Sequence, residues 1–398
     1  MKKVRIGGLE FKEYAAQKPL TITPTGEFAT ASELAQAPTL AIGSLYSLSD
    51  DLKVKLTLER NQLEPDFKLG IFGVGIVTKD ELLRHVEART ELGQEVVQAE
   101  MTYCNDLLAT LAAEFLPPMP EAPRPSVPPL PPMPEIPKPK PEPIPNDWKW
   151  IPKEWWDKWR PRFQCFALFC ENTTDAVTQY AAAYRKKNVH PVFKARGFGI
   201  YLLEGVNDIR TNFVPLAKKA FTVYLSGIGH GSPTVYTGHQ GNVILQACNY
   251  DPAEVKGKAI HFLSCQTAKQ LGPDTVKKGA RSYAGYCENF TFVYDQPGTP
   301  INEMDLFWIC DSTFDIMMAN GSTVEQAHNS TIAAYNAAIA LVPGTSAASW
   351  LTWDRNSLRD PVVDAAFGDK KAKISPYILL PLHPFMEVDE SAARFTVA

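Results

Sequence analysis

"AFTVYLSGIGHG" at residues 220–231 and "AIHFLSCQTA" at residues 259–268 each place a short apolar, β-branched run directly before one chemically useful side chain, His230 in the first and Cys265 in the second. Such runs, bounded by turn residues, suit a strand buried on both faces of a parallel sheet. The surrounding text alternates in the same way. "FQCFALFC" (163–170), "GFGIYLLEG" (197–205) and "SYAGYCENFTFVY" (282–294) read as further strands, the second as a strand or a hairpin. "NTTDAVTQYAAAYRKKN" (172–188), "DLFWICDSTFDIMMANG" (305–321) and "STVEQAHNSTIAAYNAAIALV" (322–342) read as helices, and "TAKQLGPDTVKKGA" (267–280) as a helix or turn. "DPAEVKGK" (251–258) opens with an Asp cap, Pro at the first helical position and Glu at the third. Alternating β and α units imply an α/β fold, a mostly parallel sheet with helices on both faces.

In such sheets functional groups gather where strands end at their carboxyl edge, and His230 and Cys265 both fall there. A thiol becomes a nucleophile when a neighbouring imidazole raises its thiolate fraction. The pair is therefore read as an acyl-transfer centre. Gly231, lacking a Cβ, lets its N–H approach a substrate carbonyl closely, and with the N–H of Cys265 it forms a candidate oxyanion hole. His261 sits four residues before Cys265 on the same strand, about 13 Å away and too far to be the base. His239, in "YTGHQGN", reads as a solvated loop residue.

The order of motifs resembles the caspase-like cysteine peptidases, in particular the CHAT group related to separases and gingipains. An apolar strand with His-Gly is followed by one ending in "LSCQTA", then Gly279-Ala280-Arg281, then the helical Gly321-Ser322-Thr323-Val324-Glu325-Gln326-Ala327. "LTWDRNSLRDPVVDAAFGD" (351–369) is similar to the family's closing segment, so the resemblance spans about residues 160–370. Where the family often has a second small residue before the cysteine, Ser264 stands here. The resemblance implies a caspase-like sheet, His230 as general base or acid, Cys265 as nucleophile, Gly231 with Cys265 as oxyanion donors, and no cofactor or metal. Related enzymes select the residue before the cleaved bond with a charged or an apolar pocket. Glu288 and Asp295 flank the strand after the nucleophile and are candidates for selecting a basic side chain; apolar selection stays open.

The remainder of the 398 residues sets the context. Hydrophobic residues at 45% and charged ones at 21% fit a globular protein, and a net charge of −4 gives no basic surplus to attract nucleic acid. No run is apolar and long enough to span a membrane or to follow "MKKVRIGGLEFKEY" as a secretory signal, so the expected address is cytoplasmic. Seven cysteines without paired spacing suggest reduced thiols, most of the other six packed in the core, and the absence of CxxC and HExxH gives no support for a metal site.

Three segments follow. Residues 1–115 read as a small β-plus-helix domain with a regulatory or interaction role, in which "TLAIGSL", "LKVKLTLE" and "FKLGIFGVGIV" are strands. Thr78-Lys-Asp-Glu81 is a capping box opening a helical stretch, with Gly93 as a break. Residues 116–145 hold close to half of the 33 prolines and read as a polyproline II linker that reaches about 90 Å when extended, or as a docking site for a proline-reading partner. Residues 146–398 are the peptidase-like domain, entered through Trp148, Trp150, Trp155, Trp156 and Trp159, rings expected to pack the incoming chain.

The functional expectation is a cysteine endopeptidase acting on a protein substrate through an acyl-enzyme, its N-terminal domain held away by the linker as a regulatory or targeting module. The alternatives are a catalytically inactive caspase-like scaffold, or a thiol hydrolase or acyltransferase acting on a non-peptide ester or amide.

Overall fold

The computed structural model describes residues 2–23, 26–37, 45–115, 162–294 and 302–379. The proline-rich linker, the tryptophan cluster, "TLAIG" and Asp295 lie outside them.

The expected mostly parallel sheet is present, with six strands. β8 (Phe166–Glu171), β9 (Gly199–Glu204), β10 (Thr222–Ile228), β14 (Ala259–Leu263) and β15 (Ser282–Tyr286) run parallel in the order β15-β14-β10-β8-β9. β17 (Leu358–Arg359) closes the β15 edge antiparallel. Alternation along each strand sends side chains to two separate cores. Leu168, Leu225, Ile260 and Phe262 meet Phe213 and Leu271, from α8 (Arg210–Ala217) and α9 (Leu271–Lys277). Ala167, Phe169, Tyr224 and Ala259 meet Phe193, Phe314 and Val324, from α7 (His190–Ala195), α10 (Glu303–Ala319) and α11 (Val324–Leu341). Both faces are therefore covered, which is why the strands read as continuous apolar runs.

Helix α6 (Ala176–Asn188) follows β8; Asp175 caps it by accepting from the N–H groups of Val177 and Thr178, and Arg185, Lys186 and Lys187 sit favourably at its carboxyl end. Arg185 is buried beneath the sheet, with Nε 3.2 Å from Glu171 and Nη1 3.2 Å from Asp315.

"SYAGYCENFTFVY" forms two strands rather than one. After β15 the chain turns at Cys287–Phe290 and leaves the main sheet as β16 (Thr291–Tyr294), because Asn289 and its neighbours interrupt the apolar run. β16 pairs antiparallel with β5 (Lys68–Ile71), which forms a hairpin with β6 (Gly75–Thr78). "FKLGIFGVGIV" is thus two strands about a turn at residues 72–74, with Gly73 at φ +85° and Gly75 at +114°.

"LKVKLTLE" is helical, within α3 (Asp50–Gln62). Its alternation over eight residues satisfies both periods. Ser49 capping the helix, Asp50 and Asp51 in the first turn, and burial at Leu56, Thr57, Arg60 and Asn61 decide for the 3.6 period. The capping box at Thr78 and Glu81 forms as expected and starts α4 (Lys79–Glu87). The helix break falls at Arg89, φ +52°, before α5 (Glu91–Phe115), rather than at Gly93. A Cβ at Gly93 would lie 2.0 Å from the His85 carbonyl oxygen, so this glycine permits α4 and α5 to touch.

The N-terminal unit is not held away from the sheet domain. Phe72, Leu69 and Tyr103 share one continuous core with Phe290, Phe292, Trp308, Trp350 and Leu351. Lys12 pairs with Glu303, Asp106 with Arg355, and Tyr103 accepts from the N–H of Gly344. β16 and the apolar side chains around Trp308 and Trp350 require covering, and the N-terminal unit supplies that cover through β5 and the shared core.

Candidate active site

Strand register brings His230 and Cys265 level. Ile228 of β10 pairs with Leu263 of β14, and each reactive residue stands two positions beyond that pair. The Gly229 N–H donates to the Leu263 carbonyl at 3.3 Å, carrying the contact past the strand ends. From there His230 enters the short β11 (His230–Ser232), paired with β12 (Val235–Thr237), while Cys265 lies in the loop leading to α9.

A third group comes from the strand on the other side of β10. Four residues beyond β8, Asp175 accepts a hydrogen bond from His230 Nε2 through Oδ2 at 2.6 Å, while its Oδ1 caps α6. Burial alone would raise the pKa of this carboxyl. The bond from His230 and the backbone N–H groups of Thr178 and Val177 outweigh that and hold it below its ordinary value. A charged acceptor at Nε2 fixes the proton there and leaves Nδ1 as the basic atom. The imidazole thus has the tautomer and orientation of a general base.

One amide lies between base and thiol, and it belongs to the N-terminal hairpin. The Cys265 thiol donates to the Phe72 carbonyl oxygen at 2.9 Å, and the Gly73 N–H donates to His230 Nδ1 at 2.9 Å. Both atoms belong to the Phe72–Gly73 peptide bond. Given a C=O bond of about 1.2 Å, that carbonyl carbon lies roughly 3–4 Å from the sulfur, close to the separation of a near-attack geometry. Cys265 is 2% exposed and Phe72 0%. Burial pushes the thiol's pKa far above its ordinary value, the more so because Asp354 and Glu95 add negative charge and only a hydrogen bond with the Phe290 backbone opposes them. With the hairpin in place, the sulfur is a protonated thiol.

Gly231 has a steric role alongside the one expected of it. A Cβ there would lie 2.2 Å from Ser264 Oγ, 2.6 Å from the Cys265 carbonyl oxygen and 2.7 Å from Thr267 Cγ2. Only glycine lets β11 press against the loop that carries Ser264, Cys265 and Thr267. Gln266, directly after Cys265, is held at φ +57°, so the loop turns sharply just past the thiol. Thr267 is anchored by the Tyr283 hydroxyl at 2.7 Å.

The other candidates separate clearly. Glu288 pairs with Lys269 at 3.0 Å on the partly exposed surface, whereas the Phe72 ring is lined by Phe290, Phe292 and the His230 imidazole. His261 is buried away from the dyad between Asp311 and Asp315, at 3.4 and 3.2 Å. These three groups converge closely enough to hold a cation. The Arg185 guanidinium beside Asp315 already provides positive charge there, which disfavours a metal. His239 hydrogen-bonds to Thr174 in a partly exposed turn. Cys104, Cys165, Cys170 and Cys310 are buried, Cys287 is half-buried and Cys248 exposed.

Asp175 and the Phe72–Gly73 pair are the site residues that the sequence did not disclose. Asp175 reads only as a helix cap in "NTTDAV", and its second role depends on β8 lying beside β10. No protein-family model matches the chain and no curated protein is similar to it. Among the described residues no helix is long and apolar enough to cross a membrane.

Proposed function

We propose that this chain is a cysteine endopeptidase of the caspase-like, CHAT-related kind, working through Cys265, His230 and Asp175. His230 Nδ1 takes the thiol proton and the Cys265 thiolate attacks a peptide carbonyl carbon. The oxyanion is stabilised by the N–H groups of Gly231 and Cys265. As the C–N bond breaks, the imidazolium returns its proton to the leaving amine, giving a thioester. Water, deprotonated by His230, then releases the carboxylate and restores the thiol. Asp175 holds the ring and stabilises its charged form.

The observation that carries this reading is the single amide placed with its oxygen on Cys265 Sγ and its nitrogen on His230 Nδ1, both at 2.9 Å. The reaction requires the sulfur to reach the carbon of such an amide and the imidazole its nitrogen, and that carbon lies roughly 3–4 Å from the sulfur. The acid that fixes the imidazole tautomer adds support, because an incidental His–Cys pair has no need of it. The N-terminal unit would serve regulation, and the substrate would be a protein. The deciding experiment is a peptide-library cleavage profile with wild type and Cys265→Ala. Cleavage should disappear in the variant while its melting temperature holds; activity retained by folded Cys265→Ala would reject the assignment.

A further inference from the structure

The hairpin that joins β5 to β6 occupies the candidate active centre in the manner of a bound peptide. β5 lies antiparallel on β16, with Lys68 opposite Tyr294, Leu69 opposite Val293, Gly70 opposite Phe292 and Ile71 opposite Thr291. Phe72 continues the ladder through its N–H, which donates to the Phe290 carbonyl at 3.1 Å. Its ring is fully buried, with centroids 5.5 Å from Phe290, 6.3 Å from Phe292 and 6.2 Å from His230. At Gly70 a Cβ would come within 2.2 Å of the Phe292 ring, so the strand can lie flat on the pocket only because glycine stands there. Past Gly73 the chain turns out toward solvent, with the Val74 N–H closing on the Ile71 carbonyl at 3.1 Å and Val74 59% exposed.

We infer that Phe72–Gly73 is an internal pseudosubstrate: it plugs the site in the resting protein, and it marks the true substrate as an extended peptide with an aromatic residue before the cleaved bond. The inference rests on the peptidase reading for its second half only. Its first half follows from where the reactive atoms are spent. The base's free lone pair, on Nδ1, accepts from the Gly73 N–H and so is not available to the thiol. The thiol proton is committed to the Phe72 oxygen. Both reactive groups are thus held by an amide they flank. The i to i+3 turn keeps the nitrogen side of that amide folded back on the strand rather than extended away from it. The pocket walls are the rings of Phe290, Phe292 and His230, and of the two acids expected to select a basic residue Glu288 is occupied by Lys269 while Asp295 lies outside the described residues. A flat aromatic side chain fits those walls, whereas a charged one would lose its hydration without a partner.

The experiment uses the full chain and reads Cys265 alkylation by mass spectrometry, with exposed Cys248 as internal control. Wild type, Phe72→Ala and Val74→Pro are treated with iodoacetamide and, separately, with chloromethyl ketones of Leu-Gly-Ile-Phe and Leu-Gly-Ile-Arg. Val74→Pro removes the turn's closing N–H at an exposed position, so it loosens the plug without hollowing the core, should Phe72→Ala fail to fold. Expected are slow Cys265 labelling in wild type, at least tenfold faster labelling by iodoacetamide in a folded plug variant, and at least tenfold preference for the Phe reagent over the Arg reagent in that variant. Equal iodoacetamide rates in wild type and both folded variants would overturn the plug. Equal rates with the two ketones, or faster reaction with Arg, would overturn the aromatic preference. A 72-residue fragment formed by wild type alone would also overturn the inference, since the hairpin would then be a substrate rather than a plug. Faster alkylation with no peptide cleaved by the variant would leave the plug standing and reject the peptidase reading; cleavage by wild type at the variants' rate would do the reverse.

Discussion

Asp175→Asn separates the two tasks of one carboxylate. Oδ1 accepts from Val177 and Thr178 at 2.9 and 3.1 Å, and Oδ2 accepts from His230 Nε2 at 2.6 Å. Asparagine caps helices about as well as aspartate, so its one carbonyl oxygen takes the Oδ1 position and the fold loses less than about 1 kcal/mol. Its NH2 group then faces Nε2, donor against donor. The imidazole relieves this by moving its proton to Nδ1, which is the atom required as base. Losing a general base costs roughly 10²–10⁴ in rate, or about 3–5 kcal/mol of transition-state stabilisation at 1.36 kcal/mol per decade. Asp175→Ala should show the same rate loss and, in addition, about 1 kcal/mol of lost stability from the missing cap. The assay is kcat/KM on a peptide with Phe before the scissile bond, in the Val74→Pro background, with thermal melting of each variant alongside. Asp175→Asn that melts normally and keeps its activity within about threefold would refute the assigned tautomer, and with it the role of Asp175.

Two further outcomes concern stability. Gly231→Ala must displace Ser264, Cys265 or Thr267, and such overpacking costs about 1–3 kcal/mol, measurable as a lower urea midpoint. Burial alone would lower the pKa of His261, yet Asp315 and then Asp311 outweigh it and raise it to about 9. Its proton is therefore held more tightly folded than unfolded, and the resulting stability is fully present below pH 6.5 and lost as pH rises through 9. The effect is on the order of 3 kcal/mol at about 1.4 kcal/mol per pH unit. Urea melts from pH 6 to pH 9.5 should fall more steeply for wild type than for His261→Gln; parallel curves would show that His261 contributes nothing to the slope.

The sheet was legible because both its faces are buried. Uninterrupted runs such as "FQCFALFC" and "AIHFLSC" have no other comfortable environment in a globular chain. His230 and Cys265 were legible for a related reason: a strand's carboxyl end is a fixed address, and two such addresses on neighbouring strands coincide once the register is set. Short segments with two compatible periods were not legible. "LKVKLTLE" alternates well enough for a strand, and its helix is decided by Ser49 and by packing against the rest of the N-terminal unit. "SYAGYCENFTFVY" hides a change of sheet because Thr291–Tyr294 is as apolar as Ser282–Tyr286, and the partner of β16 lies over 200 residues earlier in sequence. The same distance concealed the plug. Phe72 and Gly73 carry no chemistry of their own, and they become functional candidates only when β5 is laid on β16.

How firmly the plug is seated determines what can release it. Burying the Phe72 ring is worth about 2–3 kcal/mol. The three hydrogen bonds from Phe72 N–H, Gly73 N–H and the Cys265 thiol add about 1 kcal/mol each. Opening the tip alone therefore costs about 5 kcal/mol, which at 1.4 kcal/mol per decade leaves a thiol-accessible fraction of roughly 10⁻⁴. A substrate needs more than the tip to move, since the edge of β16 that it would use is taken by β5. Undocking the whole N-terminal unit is dearer still, because its apolar side chains are continuous with those around Trp308 and Trp350. Release is therefore expected to be local, and the proline-rich segment between residues 116 and 145 should not control it. Introducing a site-specific protease site into that segment and cutting it should leave the two pieces co-eluting on gel filtration and Cys265 alkylated as slowly as before. If cutting instead raised labelling to the rate of Phe72→Ala, the plug would be held by the high effective concentration that a tether confers, and the packing described for β5 would not be what keeps the thiol covered.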